Sequence, residues 1–248
     1  MIDSLIVFAC VFGVALFGMF LRALLPEQHL SADSKDTVRL GMGMIATMAA
    51  LVLGLLVASA KNFYDAERSE LTRMSANVIL LDRVLAHYGP ETKEARDLLH
   101  GAVARTLDQI WPQERQEHSQ LDPRAAGGEI LYDKIQELLP QNDTQHALRA
   151  QASSMAIDLG KMRWLMFEQG SNSISMPLLA MLVFSLAIVF TSFGLFAPTN
   201  ATVMAALFFC ALSVSGAVFL ILEMYRPFEG LTQIPSSALR NALAHLGQ

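Results

Sequence analysis

Between Leu40 and Tyr88 nothing in the sequence stops a helix, and that stretch constrains everything around it. Leu40–Ala60 carries no charged residue over about the 20 positions an α-helix needs to cross a bilayer. Lys61–Tyr88 continues without a break as a polar segment. Its Tyr64, Glu67, Leu71, Met74, Val78, Leu81, Leu85 and Tyr88 recur at 3–4 spacing, and all but Glu67 are apolar or aromatic. The nearest prolines are Pro26 and Pro90. At ~1.5 Å per residue the stretch predicts a rod roughly 75 Å long, a membrane span that continues straight into an aqueous domain.

Composition fits such a split. Hydrophobic residues make up 53% of the chain, and the mean hydropathy of +0.38 is too high for an ordinary soluble domain. Charged residues, at 17%, are too many for membrane spans alone. Four apolar segments resolve the conflict: Leu5–Leu25, Leu40–Ala60, Met176–Phe196 and Ala201–Met224. The first is read as a retained span, because the residues before it offer only Asp3 where a signal peptide wants basic residues. The sequence thus predicts an all-α integral membrane protein, four transmembrane helices with a cytoplasmic four-helix bundle between the second and third spans. Residues 1–60 form the first transmembrane pair, 61–172 the bundle, 173–225 the second pair and 226–248 a cytoplasmic tail.

Within the block, Lys61–Tyr88 and Thr144–Gln169 adjoin spans and are expected to pair antiparallel, with Asp143 capping the second. Glu91–Trp111 and Glu129–Leu139 are the shorter helices, and Gln113–Gly128 reads as a loop. In the tail, Leu231–Ile234 is expected to be extended, and Ser236 or Ser237 to cap a last helix that packs under the bundle. All of the 18 Lys/Arg except Arg22, Lys35 and Arg39 fall on the side of the block and both termini. The positive-inside rule therefore places that side in the cytoplasm, and in a bacterium the membrane is the inner one.

Most functional classes drop out. A net charge of −5 gives no reason to expect nucleic acid. Cys10 and Cys210 both lie in spans, and the histidines have no ligand spacing, so neither a disulfide nor a metal site is encoded. No P-loop, nucleophile elbow or metalloprotease motif occurs, and the acidic residues of the block alternate with basic ones, as on a solvated, salt-bridged surface. No enzyme and no cofactor is expected. Ionisable residues come near the spans only at their ends, as Arg22 and Glu223, whereas ion-coupled transporters need such a group near the midplane.

What remains is a stripe of small residues on one face of the second span: Gly43, Thr47, Ala50, Gly54 and Ala58. One reading is close helix–helix packing. The other is that the stripe lines a narrow pore in a homo-oligomer, since four helices in one chain leave no room for a channel. Lys61, Glu223 and Arg226 would then flank its cytoplasmic mouth, with Lys35 and Arg39 at the other end. The basic excess beside the second span favours anions. The partners are further copies of the chain, the bilayer and inorganic ions. The alternative is a non-conducting scaffold or sensor whose bundle binds a partner.

Several stretches carry a resemblance: Ser75–Glu91, Trp111-Pro112, Gly194–Thr202 and Ala211–Leu231, above all Glu223 with Arg226-Pro227-Phe228-x-Gly230. Over nearly its whole length the chain resembles the bestrophin-like family of bacterial membrane proteins, a domain of unknown function. Tyr225 stands where that family is expected to have an Asp, and Pro235 shifts its serine-rich stretch. The family's name implies kinship with bestrophins, pentameric anion channels with two spans, a cytoplasmic helical block and two more spans, the second span lining the pore. The bestrophin neck aromatics and acidic calcium clasp are not found here, so no bestrophin residue is transferred.

Overall fold

With no helix breaker between them, residues 32–88 form one helix in the computed structural model, which describes residues 2–24, 32–111, 128–170, 175–196 and 200–247. These residues hold eight α-helices and no strand: α1 (Ile2–Leu24), α2 (Ala32–Tyr88), α3 (Lys93–Ile110), α4 (Gly128–Gln136), α5 (Asp143–Gly170), α6 (Met176–Phe196), α7 (Ala201–Met224) and α8 (Ser237–His245). Four of them, α1, α2, α6 and α7, are long and apolar enough to cross a membrane. At 57 residues α2 begins eight positions before the apolar run, because Ala32–Arg39 contains no Gly or Pro and its acidic residues suit a helix N-terminus. The expected loop at 113–127, most of the Gly170–Ser175 break and the turn at 197–199 lie outside the described residues.

The chain divides into two compact units. The first, Met1–Tyr64 with Ser173–Tyr225, is the membrane unit. Its core is made of Val11, Ala15, Leu56, Leu182, Phe190, Leu207 and Val218 among others. Phe208 meets the rings of both Phe8 and Phe12 edge-on, at 5.5 and 5.7 Å. Asn200 caps α7, its side chain accepting from the Val203 amide at 2.9 Å. The tightest helix contact joins α1 to α6: a Cβ on Gly18 would strike the Thr191 carbonyl, and one on Gly194 the Ala15 carbonyl. Gly13, also on α1, faces open space. We expect Gly18→Val to cost about 1–3 kcal/mol or more by forcing the two backbones apart, and Gly13→Val to cost little. Thermal unfolding of the two variants in one detergent checks this, and equal melting temperatures refute it.

The second unit, Asp65–Asn172 with Arg226–Gln248, is helical and polar outside. The expected seams lie inside it: Leu71, Met74, Val78, Leu81, Leu85 and Tyr88 of α2 are all buried, as are Leu99, Val103, Leu107 and Ile110 of α3. The end of α2 is built by Gly89, whose φ of 142° suits glycine, and by Thr92, which is fully buried. The Thr92 hydroxyl donates to the Leu85 carbonyl at 2.6 Å, and the Gln145 amide group donates to the Tyr88 carbonyl at 3.0 Å. Carbonyls that a helix end leaves orphaned are thereby satisfied.

Three local expectations need correction. The cap of α5 is Asn142 rather than Asp143: Asn142 Oδ1 accepts from the Gln145 amide at 2.8 Å, and Gln145 Oε1 accepts in return from the Gln141 amide. Helix α4 ends at Gln136, three residues early, because Pro140 disfavours helical backbone at Leu139. The freed Leu138 carbonyl accepts from Arg149 at 3.0 Å. Residues 231 and 232 form a turn instead of an extended stretch, and the Ile234 amide folds back to the Pro227 carbonyl at 2.6 Å, with Gly230 at a left-handed φ of 80°. Trp111 holds this turn through its indole N–H to the Ile234 carbonyl at 3.0 Å and its ring against Phe228. Helix α8 then buries Leu239 and Ala242 in the same unit.

Candidate functional site

In the membrane unit the apolar part of α2 has two unlike faces. Ala49, Leu56 and Ala60 are buried against the other spans, with Val52 and Leu53 beside them. Gly43, Thr47, Ala50, Gly54 and Ala58 all lie on the exposed remainder. Among the described residues nothing stands within 4 Å of a Cβ built on Gly43 or Gly54, so no close helix contact is made at these two positions. The close glycine contact is instead the α1–α6 crossing at Gly18 and Gly194, a signal of the same kind that periodicity alone does not rank.

Chemically the stripe is bland. Its one hydroxyl, on Thr47, donates to the Gly43 carbonyl at 2.8 Å and so is already engaged along its own helix. The bulky exposed residues Met44, Met48, Leu51 and Leu55 interleave with it. Such a surface has no group able to replace an ion's hydration shell.

The charges sit at the ends of the apolar runs. Lys61 is exposed one position beyond the apolar run. Glu223 is half-buried in the last turn of α7, and Arg226 is exposed just beyond Tyr225. At the other end Arg39 bonds Asp36 at 3.4 Å, so its charge is partly offset, and the side chain of Lys35 lies outside those described. Tyr225 has a structural task of its own: its hydroxyl shares a 3.0 Å hydrogen bond with Ser59 Oγ, and its ring stacks on Phe63 at 5.3 Å. The end of α7 is thereby pinned to α2.

Two acidic residues in the polar unit escaped the solvated-surface reading. Glu67 is 1% exposed, and neither carboxylate oxygen has a hydrogen-bond partner among the described residues. Burial, with a smaller push from Glu70, raises its pKa to about 7. Its place as the one charged residue on an otherwise apolar seam was the available signal. Asp82 is buried too, held by Arg96 through Nε at 2.7 Å and a second nitrogen at 2.9 Å, and it also accepts from the Gly247 amide at 3.3 Å. Nothing in the local sequence marks it, since its partners lie 14 and 165 positions away.

With this geometry in hand, comparison with known proteins narrows the reading. The model of a family described as Bestrophin-like domain matches residues 9–239. Among solved structures, the fold is similar to that of a bacterial bestrophin homolog from Klebsiella pneumoniae carrying a point mutation, with a TM-score of 0.66 over 99% of this chain and 100% of that one. At 11% identity the likeness is one of fold. No match is found among curated proteins.

Proposed function

This chain belongs to the Bestrophin-like family, and from that premise we propose that it assembles as a homo-oligomer and conducts ions, anions before cations, along an axis lined by the second span. The observation that carries the proposal is the exposed, uncharged stripe from Gly43 to Ala58, at whose two glycines no described residue comes within 4 Å of an added Cβ. Copies arranged around a common axis would cover it on each side and leave its centre as the pathway. Exposed Ile157 and Trp164, seven positions apart on one face of α5, give the polar unit apolar surface for self-association as well. The same reading puts the polar unit and both termini in the cytoplasm, and the protein in a bacterial inner membrane.

Because the lining offers methyls and backbone, ions pass hydrated or wait for a dry constriction to wet. Selectivity then rests with the charges at the mouths, and Lys61 is an exposed cation one position beyond the apolar run. Ion flux from liposomes holding the purified protein tests the proposal. Gly54→Leu should abolish flux, and Lys61→Glu should lower the anion-to-cation ratio. Wild-type liposomes as tight as empty ones under voltage, stretch and varied pH would favour the non-conducting scaffold.

A further inference from the structure

A cleft of about 490 Å³ opens between α2, α6 and α7 in the membrane unit, within the size range of small-molecule sites. Its walls include Met42 and Gly43 of α2, Gly43 being the outer end of the stripe, Phe193 and Phe196 of α6, and Ala206 and Cys210 of α7. Among the described residues the single charged one on the lining is Arg39, immediately before the apolar run of α2. The cleft therefore starts at the level where the bilayer meets water. It descends along Arg39–Ala46 of α2 and Val203–Cys210 of α7, roughly 10 Å at 1.5 Å per residue, against a leaflet half of a ~30 Å hydrocarbon core.

We propose that this cleft binds a glycerophospholipid with an amine-bearing headgroup, one acyl chain lying between the three helices and the phosphate on Arg39. The complementarity is in charge as well as in shape. Arg39 spends one nitrogen on a long, exposed contact to Asp36, which leaves donors of its guanidinium fork for a phosphate. Asp36, equally exposed, presents a carboxylate beside it. A plus–minus pair at the rim matches the minus–plus pair of a phosphate and an ammonium in one headgroup. Below the rim only Ser192 is polar, so the interior suits a hydrocarbon chain. The wall residues Ala206 and Cys210 sit four positions apart on an exposed face of α7, within reach of the bilayer.

The test uses full-length protein in nanodiscs with an ethanolamine phospholipid that carries a diazirine on its acyl chain. After irradiation, adducts mapped by mass spectrometry should concentrate on residues 193–196 and 203–210, well above those on the lipid-exposed Phe17 and Phe20 of α1. Arg39→Glu, which reverses the rim, should cut the adducts there about tenfold, as expected for loss of one charge-assisted contact, and Ala206→Trp, which fills the cleft, should cut them at least as much by excluding the chain. Asp36→Ala should remove the preference for ethanolamine over glycerol headgroups. Adducts equally dense on α1 in the wild type would mean ordinary boundary lipid and overturn the proposal. So would efficient cross-linking of Cys210 to Cys210 of a second copy in a Cys10→Ser background, which would make another subunit the occupant.

Discussion

Arg96→Ala should destabilise the protein by about 3–5 kcal/mol, because it strands the charge of a buried partner, Asp82, rather than removing a surface contact. The Asp82 side chain is 2% exposed, and Arg96, on the next helix, is 23% exposed. Two parallel hydrogen bonds at 2.7 and 2.9 Å fix the guanidinium against the carboxylate and so join α2 to α3. The third bond, from the Gly247 amide, ties the tail to the same point. Losing the carboxylate therefore costs three donors their acceptor. Asp82→Ala should cost less, because the partly exposed Arg96 can turn its charge to water, but still more than losing the exposed pair Lys161–Asp158 at 3.3 Å, for which about 0–1 kcal/mol is the norm. A double-mutant cycle on thermal unfolding in detergent separates the coupling from the two single losses. A coupling energy near zero would show that Asp82 and Arg96 do not stabilise one another.

The fold was legible where a single physical rule acts along the chain. Four uncharged runs long enough to cross a bilayer marked the spans. The 3–4 repeat from Leu71 to Tyr88 named the residues that are buried, because only the inward side of a helix returns at that spacing. The same rule misses what depends on contacts between distant segments. Gly18 and Gly194 look no different in sequence from Gly43 and Gly54, yet the first pair lets two backbones touch and a Cβ on either of the second would meet no described residue within 4 Å. Trp111 was read as a helix end, and its bond to the Ile234 carbonyl, which fixes the tail, spans 123 positions. The cap of α5 was missed by one residue because Asn142 and Asp143 are both good caps, and only the Gln145 amide direction chooses between them. The candidate stripe was legible as a pattern. Its exposure depends on which helices flank α2, which no periodicity states.

Glu67→Gln should stabilise the protein at pH 8 and leave it nearly unchanged at pH 4. An unfolded chain ionises this carboxyl around its ordinary 4.5, whereas the folded chain holds it neutral until about 7. Between those values the folded state binds the extra proton, so stability falls as pH rises and is flat again above about 7. The cost is absent below 4.5 and complete above 7, the reverse of a carboxylate that gains a salt bridge on folding. At about 1.4 kcal/mol per pKa unit the full swing is roughly 3–4 kcal/mol. Glutamine keeps the size and polarity of the side chain but has no proton to lose, so the variant's stability should lack this step. Glu70→Gln removes the smaller of the two causes, and should shift the step towards lower pH while leaving most of it in place. Melting temperatures of the three proteins across pH 4–9 in one detergent decide the matter. If wild type and Glu67→Gln trace parallel curves, Glu67 does not titrate as a buried, unpartnered acid. A step that survives only in proteins retaining Glu67 would make the start of the polar unit, six residues beyond Lys61, a place where proton concentration changes the stability of α2 itself.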